Sequence, residues 1–157
     1  MNRQQRRQSG RALVRRVHRH NRPSDRDKAR HEAGHLVACV HYGIAFDHVT
    51  MDGFDPHPER GYAWTGGVVD MVLTDPRTGA VALWAGPAAE GHIYNSAHDL
   101  TLIQRLAPNY VTDRWPGSPH AVAHRLVAAR ADDIACLAAA LAVERTMTSA
   151  RVLEVLG

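Results

Sequence analysis

No apolar run in this sequence is long enough to cross a membrane. The longest, IACLAAALAV from Ile134 to Val143, has about half of the roughly 18 residues that a spanning helix needs. Cysteine is almost missing: Cys39 and Cys136 have no CxxC spacing and no secretory leader upstream. That excludes a disulfide scaffold and reads as two buried thiols of a soluble, cytoplasmic protein. The chain contains no G-x-x-x-x-G-K-[ST] run either, so no ATPase module is expected within it. Acidic residues are scarce at one end only. Residues 1–30 hold eleven of the nineteen Lys and Arg against two acids, whereas the remainder holds eight bases and fourteen acids. The net charge of +3 therefore describes a basic arm on a mildly acidic body.

Residues 1–23 have too few large apolar side chains to form a core. They read as a solvated arm, with docking of residues 1–22 on nucleic acid, an anionic membrane surface or an acidic partner as the alternative. Residues 24–157 have the length of one compact domain. Ser24 and Asp27 have capping-box spacing, and DRDKARHEAGHLVACVHYG continues without a breaker to Gly43, which predicts a first helix. IAFDHVTM and YAWTGGVVDMVL, separated by DGFDPHPERG, read as two short strands. A second helix opens at Thr74-Asp75-Pro76 and runs through AVALWAGPAAEGHIY, with a kink expected at Gly86-Pro87. Ser96 starts another helix, and Ser118-Pro119 starts the longest, HAVAHRLVAARADDIACLAAALAVERT. Thr148 caps a last short one, SARVLEVL. The predicted fold class is α+β and mainly helical, with a small sheet after the first helix and a C-terminal helical bundle.

The middle of the first helix reads His31-Glu32-Ala33-Gly34-His35. Positions i and i+4 share a helix face, so His31 and His35 can aim two imidazoles at one ion, with Glu32 beside it as a base. With eleven histidines and five glutamates in the chain, H-E-x-x-H arises by chance in roughly 2% of such sequences. Two solvent-facing helical histidines are the plainer alternative. Against them stands Gly34, which costs helix stability that a surface helix has no reason to lose, and which, with Ala33, leaves room for a substrate.

HEAGHLVACVHYGIAFDHVTM resembles the start of the FtsH-type zinc metallopeptidase domain. Similar, more loosely, are GYAWTGGVV to that family's glycine-tyrosine strand, LWAGPAAEGHIY to its glycine-rich helix, HDLTLIQRLA to its NDL segment, and LAVERTMTSARVLEVL to its closing helices. The resemblance spans roughly residues 25–157. It implies a zincin-like helix bearing HExxH, a Zn(II) cofactor and hydrolysis of peptides or unfolded protein. It also implies an aspartate as third metal ligand, matched here by Asp99. The spacing Ser96-x-x-Asp99 is itself a capping box, so helix capping is the other role open to Asp99. Glu90 is the alternative third ligand, or a support for the ligands and the helix packing. The chain departs from the family pattern at Pro87, Gly91 and His98.

The expected mechanism has Glu32 as general base toward a water on zinc held by His31, His35 and Asp99. The alternative is a catalytically silent zinc-binding regulatory protein on the same scaffold, associated with nucleic acid through its basic arm. Elsewhere, His120 and His124 read as a surface pair rather than a second metal site. Cys39 reads as a core thiol, and Tyr62 and Trp64 as groove or core residues of the second strand.

Overall fold

The computed structural model describes residues 24–52, 67–91, 97–111 and 114–157. The basic arm, Tyr62, Trp64 and Ser96 lie outside these residues. Within them the fold is mainly helical α+β: six helices and one small antiparallel sheet.

Helix α1 (Asp25–Tyr42) forms where the local signals place it. The Ser24 hydroxyl accepts from the Asp27 N–H at 3.1 Å, and the Asp27 carboxylate accepts from the Ser24 N–H at 3.2 Å. Gly43, at φ 64°, closes the helix in the left-handed conformation that glycine adopts without steric cost, and the next N–H, of Ile44, donates to the Cys39 carbonyl at 2.8 Å. Strands β1 (His48–Thr50) and β2 (Gly67–Val69) follow. Helix α2 (Pro76–Glu90) is capped by Asp75, runs through Gly86 and Pro87, and ends at Gly91, φ 87°, short of the predicted extension. Helix α3 spans Ala97–Leu106, and a single 3-10 turn spans Pro108–Tyr110.

The predicted longest helix is in fact two. Helix α4 (Pro119–Ala129) and helix α5 (Ala131–Glu144) meet at Arg130, whose backbone (φ −116°, ψ 27°) is not helical. The break has a packing cause, because Ala123 and Leu126 of α4 bury into one apolar cluster while Ile134, Leu137 and Leu141 of α5 bury into another. Strand β3 (Thr146–Thr148), expected instead as the end of the longest helix and the cap of the last, joins the sheet in the order β2-β1-β3, with Val49 opposite Val68 on one side and Met147 on the other. Thr148 ends this strand and also caps α6 (Ser149–Leu156), its side chain accepting from the Arg151 N–H at 3.2 Å. Arg145, at φ 63°, turns the chain from α5 into β3 and pairs with both Asp25 and Asp52.

Helix α1 is the wall between the two clusters. Ala29, Ala33, Leu36 and Val37 face α5 and the sheet, while Ala38 and Cys39 face α2, α3 and α4. Full burial of a side chain the size of Leu36 or Leu137 stabilises by about 1.5–3 kcal/mol relative to exposure, so α1 is held from both sides. Cys39 is a buried core thiol, as expected; Cys136, expected to be buried, is exposed on α5. None of the described helices is long and apolar enough to cross a membrane.

Candidate metal centre

Helix α1 carries His31, Glu32 and His35 into the interior, where they are 2%, 2% and 3% exposed. Ionisable side chains are rarely buried this deeply without partners, because removing them from water is costly. Their partners come from α2, which packs antiparallel to α1: Arg30 at one end donates to the Ala89 carbonyl at 3.2 Å, and His35 a turn later donates from Nδ1 to the Ala82 carbonyl at 2.7 Å. Gly34 permits this approach. A Cβ at Gly34 would lie 2.3 Å from the Ala85 carbonyl oxygen and 2.7 Å from the Ala89 side chain. The small residues Ala33 and Gly34 do not make the room for a substrate that their size suggests. Ala33 instead belongs to the core, and the room at Gly34 is taken by the α2 backbone.

Residues Ala82, Gly86 and Glu90 recur every four positions and so share the face of α2 turned toward these histidines. Glu90, its side chain fully buried, lies with Oε2 3.0 Å from His31 Nδ1. A Cβ at Gly86 would stand 2.3 Å from His35 Nε2 and 2.7 Å from His31 Nε2. Asp99, in the first turn of α3 and 8% exposed, faces the same two nitrogens: Oδ2 is 3.0 Å from His31 Nε2, and Oδ1 is 3.5 Å from His35 Nε2. The three residues expected as ligands thus converge, and Glu90 meets His31 on the opposite side of its ring from Asp99. Glu90, Gly86 and the Ala82 carbonyl form a supporting wall whose sequence signal is the four-residue spacing 82, 86, 90.

Electrostatics follow from this packing. Burial works against charge on His31, but hydrogen bonds to Asp99 and Glu90 overcome it and raise the imidazole to about 10. Burial likewise opposes charge on His35, and the adjacent Asp99 carboxylate raises it nonetheless. For Asp99, burial is outweighed by the two imidazoles, which hold its carboxyl below the usual range. Glu32 is raised to about 7, because burial dominates over the pull of His35 and His31. A base poised near neutrality is the kind that general acid–base chemistry uses.

His31, His35 and Asp99 offer ligand atoms within 4.8 Å of one another, so the group can hold a metal ion. Two observations fit one. The donor set of two imidazole nitrogens and one carboxylate oxygen leaves a fourth position open, and Glu32 Oε2 is buried with no hydrogen-bond partner among the described residues. The other histidine pair is different: His120 and His124 stack at 4.5 Å, and His120 lies edge-on to Trp84 at 4.8 Å. Partial burial, then Arg114 and His124, push His120 down to about 4. No third ligand residue joins that pair in a converging group among the described residues.

Fold and site together define a mainly helical α+β domain built around a buried His-His-Asp group able to hold a metal. No protein-family model matches the chain, and no curated protein matches its sequence.

Proposed function

We propose that this chain is a zinc-dependent endopeptidase of the FtsH type, acting on peptides or unfolded protein. The observation that carries the reading is Glu32: a buried carboxylate flanked in sequence by the two histidines, raised to about 7, with one oxygen lacking any hydrogen-bond partner among the described residues. A purely structural site has no use for such a base. His31, His35 and Asp99 would hold the ion, and two imidazoles, a carboxylate and an open position suit zinc. Bound zinc supplies a water activated at neutral pH and polarises the peptide carbonyl. Glu32 would accept a proton from the attacking water as its oxygen bonds to the peptide carbonyl carbon, and would return that proton to the amine nitrogen as the C–N bond breaks. Strand β2, an edge of the sheet among the described residues, offers backbone groups to which an extended peptide can add as a further strand.

The test is Glu32→Gln in the purified full chain. The variant is expected to keep its zinc, measured by elemental analysis, and to lose cleavage of unfolded casein by at least about 100-fold. Hydrolysis at the parent rate would sink the assignment. One observation favours a second reading, a zinc-binding protein without turnover: none of the four site residues is more than 8% exposed. Stoichiometric zinc with no cleavage by the parent protein would decide for it.

A further inference from the structure

Both imidazoles are fixed by their Nδ1 atoms, His31 against Glu90 and His35 against the Ala82 carbonyl, so their Nε2 edges cannot turn away from what lies opposite. Opposite them is the backbone of α2 at Gly86. Any other amino acid would put a Cβ 2.3 Å from His35 Nε2, 2.5 Å from His35 Cε1 and 2.7 Å from His31 Nε2. Zinc binds imidazole nitrogen at about 2.0–2.1 Å, so a Cβ this close would crowd the two nitrogens that an ion would approach. The position is not a turn, a cap or a site of positive φ; it lies inside α2, where propensity disfavours glycine relative to alanine, directly before Pro87, whose ring also crowds a Cβ on the residue that precedes it. Helix propensity does not ask for glycine there, and the proline contact alone does not require it. The imidazoles do.

We infer that Gly86 is a specificity-determining residue of the metal centre: its missing side chain is the space that the ion and its open position need, and a single methyl group there closes the site. The inference rests on the zinc reading above and extends it from the ligands to the wall that faces them. It separates two glycines that look alike in sequence. Gly34 lets two helix backbones touch, whereas Gly86 keeps one backbone clear of the imidazoles.

The experiment compares zinc and cobalt(II) binding by the full chain and by Gly86→Ala, using competition with a chelator and the cobalt absorption bands. The parent is expected to bind one zinc, and Gly86→Ala to bind at least about 100-fold more weakly while keeping its helical circular dichroism. A parent that binds neither metal overturns the zinc reading and this inference with it. A parent that binds zinc, with Gly86→Ala within about threefold of it, overturns the inference alone. A metal-free double-mutant cycle guards against misfolding as the explanation. Gly86→Ala should lower the melting temperature clearly more when His31 and His35 are present than when both histidines are alanine, the contact to Pro87 being common to both backgrounds. Equal effects in the two backgrounds would refute the contact on which the inference stands.

Discussion

Glu90 holds His31 by the ring nitrogen that points away from Asp99: Oε2 to Nδ1 is 3.0 Å, and Nε2 on the far side of the ring is 3.0 Å from Asp99. With Nδ1–H donated to a carboxylate, the neutral ring leaves its Nε2 lone pair free for a metal. Glu90→Gln is therefore expected to weaken zinc binding by about 10–100-fold without abolishing it, whereas Asp99→Ala removes a ligand and loses more. Chelator competition reads both. If Asp99→Ala binds like the parent while Glu90→Ala does not, the third ligand is Glu90.

The metal-free site should prefer low pH and the metal-loaded site high pH. His31 is raised from 6.5 to about 10, so its contribution to metal-free stability is complete below pH 6.5 and disappears as pH rises through about 10. Glu32, raised from 4.5 to about 7, acts in the same direction between those values. Metal binding must displace the proton from His31. The gain in melting temperature on adding zinc should therefore grow from pH 6 to pH 8, and calorimetric binding heats at pH 7 should vary with the ionisation enthalpy of the buffer. A constant gain and buffer-independent heats would contradict the protonated site.

Gly34→Ala should cost stability by about 1–3 kcal/mol, the usual penalty of overpacking, even though alanine favours the helix. The added methyl forces α1 away from Ala85, and with it His35 from the Ala82 carbonyl. Urea unfolding of the metal-free variant measures the loss, and weakened zinc binding should accompany it.

The two thiols should react at very different rates. Cys136 is exposed, whereas Cys39 is buried and its thiol is pushed up to about 12, so it is almost wholly un-ionised at neutral pH. Ellman's reagent should titrate one thiol quickly in the native protein and the second only on denaturation. Cys136→Ser should abolish the fast phase.

What the sequence reveals of this structure is its local chemistry. The cap at Ser24 and Asp27, the stop at Gly43, the start at Ser118 and the cap at Thr148 all act within a few residues, and each appears where those residues predict. The break at Arg130 is not legible, because no glycine or proline marks it; it follows from Leu126 and Ile134 being drawn into different clusters. Strand β3 escapes for a similar reason. Three residues, Thr-Met-Thr, form a strand only because Val49 and its neighbours lie alongside. In the site, His31, Glu32 and His35 follow from spacing on one helix, while spacing left Asp99 open between ligand and cap, and only distance in three dimensions puts its carboxylate against the two rings. Gly86 reads in sequence only as part of a kink with Pro87, and its place facing the imidazoles appears only in three dimensions.

Helix α1 presents its chemical residues and its core residues in one short stretch, with Ala33 and Leu36 packed to one side, Ala38 and Cys39 to the other, and His31, Glu32 and His35 among them. Such a helix has no idle face on which to absorb change. A methyl group lost from either cluster lets α1 settle by a fraction of an ångström, and the histidines travel with it. Retention of metal by a library of core variants would then act as a gauge of packing, and attempts to harden this fold and to retune its site would have to be carried out together.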